Sequence, residues 1–199
     1  MNLKRIFLLS LILFSVSLAS PFSVELSLSG GIQHIYTDSD LFNNDPPGIK
    51  DESSINIFLL PSIKPNVSCY YHNTGLYLSV NKAMGRDYFN RYFIISGGLK
   101  QRFNISDKKT VDVHLGTTWH SVDAAVHSFI EFIIDVRFQS LPGLDLGVTY
   151  SKKMSDKVTL FGEINYNYNT FKIFIPEFSQ TPWKFRTISL NAGVIFSLL

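Results

Sequence analysis

The final stretch of the chain is the most constraining. Ile188, Leu190, Ala192, Val194, Phe196 and Leu198 alternate with Thr187, Ser189, Asn191, Gly193 and Ser197. An extended chain sends successive side chains to opposite faces, so this segment is a strand with one apolar face and one polar face. The same rhythm opens the chain. Phe22, Val24, Leu26, Leu28, Gly30, Ile32, His34 and Tyr36 alternate with Ser23, Glu25, Ser27, Ser29, Gly31 and Gln33. It returns at Leu76, Leu78 and Val80, at Phe93, Ile95 and Leu99, at Val111, Val113, Leu115 and Trp119, at Ile130 to Phe138, at Leu144 to Tyr150, and at Val158 to Tyr166.

Turn-forming groups separate these runs: Asp45-Pro46-Pro47-Gly48, His72-Asn73-Thr74-Gly75, Gly85-Arg86-Asp87, Ser106-Asp107-Lys108-Lys109, Leu141-Pro142-Gly143 and Lys152 to Lys157. The chain therefore reads as all-β. A water-soluble sandwich also alternates, but it buries its apolar face and uses strands of about 5–6 residues. Several runs here have the length of a tilted strand crossing hydrocarbon. The polar faces carry Gly, Ser, Asn and charges of both signs, a poor sandwich core but a suitable hydrogen-bonded lumen. The reading is an antiparallel up-and-down transmembrane β-barrel with its apolar faces turned outward.

Charged residues are 17% of the chain and the formal net charge is +2. This is below the roughly 25% charged residues of average proteins, and it offers no basic surface for nucleic acid. The single cysteine, Cys69, can make no internal disulfide. Lys4 and Arg5 precede an apolar stretch from Ile6 to Val16, and Ser17-Leu18-Ala19 supplies small residues for cleavage. Residues 1–19 are expected to be an export signal and residues 20–199 the barrel.

Ten alternating runs are expected, at about 22–36, 54–71, 75–84, 90–103, 110–120, 125–139, 143–151, 157–168, 170–177 and 184–198. Two are weak. Val122, Val126, Phe129, Ile130 and Ile133 also trace a helical face, and residues 168–185 also suit a long outer loop. Removing both leaves an alternative of eight. Tyr36, Trp119, Tyr150, Tyr166 and Trp183 fall near strand ends, where an interfacial aromatic girdle belongs.

The strand-turn-strand phrases Gly98-Leu99-Lys100-Gln101-Arg102-Phe103-Asn104-Ile105-Ser106-Asp107-Lys108 and Tyr150-Ser151-Lys152-Lys153-Met154-Ser155-Asp156-Lys157-Val158-Thr159-Leu160-Phe161 resemble those of the small bacterial outer-membrane β-barrel superfamily, the OmpA-like barrels. The resemblance implies residence in the outer membrane, with outer-membrane lipid and the barrel assembly machinery as partners. Such barrels usually end on an aromatic residue, whereas this chain ends Phe196-Ser197-Leu198-Leu199.

Glu25, Lys100, Arg102, Asp112, Glu131, Asp135, Arg137 and Glu163 all lie on polar faces, and a lumen ion-pair network of these residues is expected because unpaired charge is costly away from water. His120, Ser121, Asp123 and His127, with Ser128, are weak candidates for acyl-transfer chemistry, since His120 and Ser121 are adjacent and face opposite ways unless the chain bends. No metal-ligand spacing appears, no phosphate-binding glycine loop appears, and no cofactor is expected. The leading function is a non-enzymatic barrel in envelope integrity or surface interaction, with Thr37 to Asp51 as contact surface. The alternatives are a small solute pore, a lipid A-modifying enzyme and a soluble periplasmic β protein.

Overall fold

A computed structural model describes residues 22–37, 56–84, 89–127, 133–171 and 183–198. These form β1 (Phe22–Thr37), β2 (Asn56–Tyr71), β3 (Thr74–Ala83), β4 (Phe89–Ser106), β5 (Lys109–His127), β6 (Ile133–Gln139), β7 (Gly143–Lys153), β8 (Val158–Phe171) and β9 (Trp183–Ser197). Neighbours pair antiparallel throughout, and β9 pairs with β1 to close the sheet.

The barrel has eight strand positions, the alternative count rather than the ten expected first. The reason lies at Leu141-Pro142-Gly143, which reads as a turn but reverses nothing. Both β6 and β7 run antiparallel to β5: Ser121 faces Gln139 and Thr118 faces Gly143, so two residues of β5 oppose three in the other strand. That is a β-bulge, placed where Pro142 has no N–H for the ladder. The ladder is resumed by Ser140 N–H donating to the His120 carbonyl at 2.9 Å and Leu141 N–H to the Thr170 carbonyl at 2.9 Å. β6 and β7 are thus two halves of one stave. The expected run 125–139 dissolves into the ends of its neighbours, residues 125–127 belonging to β5 and 133–139 to this stave. Thr170 and Phe171 of the expected run 170–177 end β8; the rest of that run lies outside the described residues.

Stagger sets how the faces meet. A path of paired residues from Glu25 passes through Ser68, Tyr77, Gly98, Gly116, Asp145, Asn167 and Thr187 and returns to β1 at Ile35, ten residues further along. Such a shear tilts the strands and makes a barrel of eight staves just wide enough for side chains to fill.

The apolar faces point out. Leu28, Leu78, Leu99, Leu146, Ile164 and Leu190 are exposed, with Leu190 at 58%, while Ser29, Ser79, Ser96, Thr118, Asp145, Asn165 and Ser189 are buried. This inverts the arrangement of a water-soluble protein, and it is stable only with acyl chains around the wall. Phe22, Tyr71, Phe103 and Tyr150 ring the end that carries the termini, and Phe22 and Tyr71 stack with centroids 4.9 Å apart. Tyr36, Trp119 and Tyr166 stand on the outward face nearer the other end.

The connections at the terminal end are short. His72-Asn73 joins β2 to β3, with His72 at a φ of 54°, in the left-handed region usual for tight hairpins. Asp107-Lys108 joins β4 to β5. Residues 1–21, including the expected export signal, and most of Thr37 to Asp51 lie outside the described residues.

Candidate functional site

Side chains fill most of the described lumen, and its character changes with height. The level nearest the termini is charged. Arg102 donates from both terminal nitrogens to Glu25, at 2.7 and 2.8 Å, and from Nε and Nη2 to Asp112, at 2.9 Å each. Its guanidinium lies 4.0 Å from the Tyr70 ring centre, and the Tyr70 hydroxyl donates to Asp112 at 2.8 Å. A planar fork with five donors serves two carboxylates at once, which a lysine could not do.

Slightly higher, the Lys64 ammonium pairs with Glu163. Lys100 stands between the two groups, 3.4 Å from the Ser68 hydroxyl and 5.8 Å from the Tyr77 ring centre, and makes no ion pair among the described residues. Three cations thus face three carboxylates, so the level is close to neutral without solvent. The cavity left between Glu25, Asn66, Lys100 and Glu163 is about 10 Å³, room for about one water.

The middle level is built on Asp145, which is 0% exposed. It accepts from the Tyr77 hydroxyl, from Asn167 and from Asn165 at 2.7 Å, and His114 Nε2 lies 3.8 Å away. Glycines make this possible. A Cβ on Gly116 would sit 2.4 Å from the Tyr77 hydroxyl, and one on Gly147 would sit 2.2 Å from the His114 ring. Large side chains from one stave occupy the space vacated on the next.

The level farthest from the termini is mainly apolar. Ile35, Leu60, Tyr92, Ile94, Val122, Phe171 and Phe185 are all buried, and Phe171 and Phe185 pack with centroids 4.5 Å apart. The polar groups here are held in part, His120 Nε2 and Asn169 Oδ1 having no partner among the described residues. The Tyr92 hydroxyl meets His120 Nδ1 at 2.6 Å, and Asn169 donates to the carbonyls of Thr118 and Leu141 at 2.9 and 3.0 Å.

Of the residues singled out by sequence, Glu25, Lys100, Arg102, Asp112 and Glu163 come together in the charged level. Glu131 lies outside the described residues, and so do the side chains of Asp135, Arg137, Asp123 and His127. His120 and Ser121 are not brought together. β5 continues straight through them, so His120 is buried against Tyr92 while Ser121 lies on the opposite face, paired with Phe93 and Gln139. Among the described residues no three His, Cys, Asp or Glu side chains gather as a metal site.

Lys64, His114 and Asp145 were missed. A signal for Lys64 exists: Ser62, Lys64, Asn66 and Ser68 alternate with Pro61, Ile63, Pro65 and Val67. The prolines disguise it, since proline argues against a paired strand. Here the β2–β3 pairing lapses between Ile63 and Asn66, where Pro65 has no N–H to give, and resumes in the same register.

No protein-family profile matches the chain, and no curated protein does. Solved structures do. Neisserial surface protein A, a crystal structure, is 16% identical over 89% of this chain and 97% of its own, with a TM-score of 0.53. The outer membrane protein OprG from Pseudomonas aeruginosa is 9% identical over 87% of this chain and 95% of its own, with a TM-score of 0.50. At such identities the likeness is one of fold, and the fold is that of a small bacterial outer-membrane β-barrel.

Proposed function

We propose that this protein is a non-conducting, non-enzymatic barrel of the outer membrane, acting in envelope integrity or surface interaction. The observation that carries the reading is the filled lumen. Ion pairs close it near the termini, a hydrogen-bonded carboxylate spans its middle and seven apolar side chains cap its far end. A water-filled passage needs a wider or emptier interior.

In bacterial barrels the short turns face the periplasm and the long connections face outward. By that rule the end with the tight turns at His72-Asn73 and Asp107-Lys108, where β1 begins and β9 ends, is the periplasmic one and the far end meets the exterior. Contact with a partner then falls to the outer segments, among them Thr37 to Asp51. A neighbour of the same fold carries the name of a surface protein, which is consistent with that division of labour.

The test is conductance. Purified barrel in planar bilayers is expected to stay silent, and steady unitary steps that vanish with the protein would refute the plug. Slower gel migration after boiling than before, following folding in detergent, checks that the protein measured is the closed barrel.

A further inference from the structure

We propose that the short-turn end of β5 and β7 holds the headgroup of one anionic phospholipid between Lys109 and Lys152, in the leaflet that meets the tight turns. Two observations carry it: like charges set directly opposite each other on the outward face, and the depth at which they stand.

Lys109 of β5 and Lys152 of β7 are cross-strand partners, and both are exposed. Lys109 lies two residues before Val111 and Lys152 two residues after Tyr150, so the pair shares the face that these residues turn to lipid. Directly opposed side chains start about 4.5–5.5 Å apart, and like charges there repel. Among the described residues neither lysine has an ion-pair partner. Outside the lumen, the acidic side chains of this end are Asp156, bonded to Lys153 at 2.9 Å, and Asp107, beside Lys108 in the neighbouring turn. Every other Asp and Glu of the sequence belongs to the lumen, to the far part of a strand or to a connection between strands at the far end. Lys153 N–H donates to the Lys108 carbonyl at 2.7 Å, which draws the two turns together and adds the exposed Lys108 to the same edge.

Depth identifies the anion. Phe103, Val111 and Tyr150 form one paired row across β4, β5 and β7, and the two aromatic rings are exposed on the wall. The lysines stand two residues beyond that row, about 7 Å of strand or roughly 5 Å of depth at a tilt near 45°. Aromatic rings mark the edge of the hydrocarbon, and the headgroup zone reaches about 5–7 Å past it on each side. Both ammonium groups therefore stand among lipid phosphates. A zwitterionic headgroup brings its own cation to compete for that phosphate, whereas an anionic one brings none. One phosphate placed between the two lysines cancels their repulsion, and its acyl chains lie along Tyr150 and along Leu160, the exposed partner of Lys152 on β8.

The site depends on the barrel standing in the membrane but not on a closed lumen, so its failure would leave the conductance reading untouched. The test is urea unfolding of the whole barrel in vesicles of phosphatidylcholine alone and of phosphatidylcholine with an equal share of phosphatidylglycerol. The midpoint should rise with phosphatidylglycerol, and Lys109→Gln or Lys152→Gln should each remove much of that rise. The double variant should lose little more than either single one, because a phosphate shared by two lysines is lost with the first. In phosphatidylcholine alone neither substitution should lower the midpoint, since it relieves a repulsion. Lys157→Gln, in the turn but outside the pair, should keep the rise. Sodium phosphate added to the phosphatidylcholine vesicles at matched ionic strength should not reproduce it. Heat-modifiable mobility shows that each variant has folded. Additive losses, or an equal loss in Lys157→Gln, would mean diffuse attraction to a charged surface and would overturn the proposal. So would a rise produced by free phosphate, or a midpoint indifferent to phosphatidylglycerol.

Discussion

The two ends of the lumen are closed by opposite chemistry. Near the termini, Arg102 binds Glu25 and Asp112 while Lys64 binds Glu163; at the far end, Ile35, Ile94, Val122, Phe171 and Phe185 are buried, with Phe171 packed on Phe185. Alternation runs through both ends, though the bulge before β7 flips it in one stave, where Gln139 is exposed and Asp145 buried, so alternation decides only that a residue points inward. A packed apolar cap tolerates the loss of a contact as a cavity. An ion-paired plug does not, because removing one member leaves buried charge behind.

The largest effect is expected at the charged end. Arg102→Met strands two carboxylates and should cost about 3–5 kcal/mol, read as a lower urea midpoint in detergent micelles. The triple variant Glu25→Gln, Arg102→Met, Asp112→Asn should recover most of that loss, since a neutral plug has no charge to strand. If the triple variant is no more stable than the single one, the contrast between the ends fails.

Next comes the apolar cap, where Ile35 is fully buried. Ile35→Ala should cost about 2–3 kcal/mol in the same titration, the usual result of emptying packed space. A loss below roughly half a kcal/mol would mean that the cap is loosely packed and the two ends differ less than they look.

Between them, Tyr77→Phe removes one of the donors to Asp145 but leaves Asn165 and Asn167 in place. The expected loss is about 1–2 kcal/mol. A loss as large as that of Arg102→Met would show that the middle level belongs with the charged end.

The smallest effect concerns charge outside the lumen. In the turn after β7, Lys153 donates to Asp156 at 2.9 Å, and this hydrogen bond, with the lysine's charge, holds the Asp156 carboxyl below its ordinary pKa. A depressed carboxyl stabilises the fold above its ordinary pKa and loses that contribution as pH falls through the lowered value. Lys153→Ala should move the Asp156 titration, followed by NMR, to higher pH. The urea midpoint at neutral pH should not move, because an exposed pair contributes little.

Much of the fold was legible because alternation is a property of one strand at a time. The outward set, from Leu28 to Leu190, follows from hydropathy alone, and so does the inward placement of Glu25, Arg102, Asp112 and Glu163. What misled was proline. Pro142 reads as a reversal where the chain only bulges, which inflated the strand count, and Pro61 and Pro65 hide the inward row that holds Lys64. Both errors have one cause: proline removes an N–H from the ladder, and only the neighbouring strand shows whether that gap ends the pairing or is bridged.

The sequence by itself determined that the chain is a wall with an oily side and a wet side, since a two-residue period permits nothing else. Which wet residues meet was decided by closure and shear. Glu163 lies 99 positions from Lys64, and Asp145 lies 68 from Tyr77, yet each pair touches across the lumen. No local pattern specifies a contact that exists only once the last strand has joined the first.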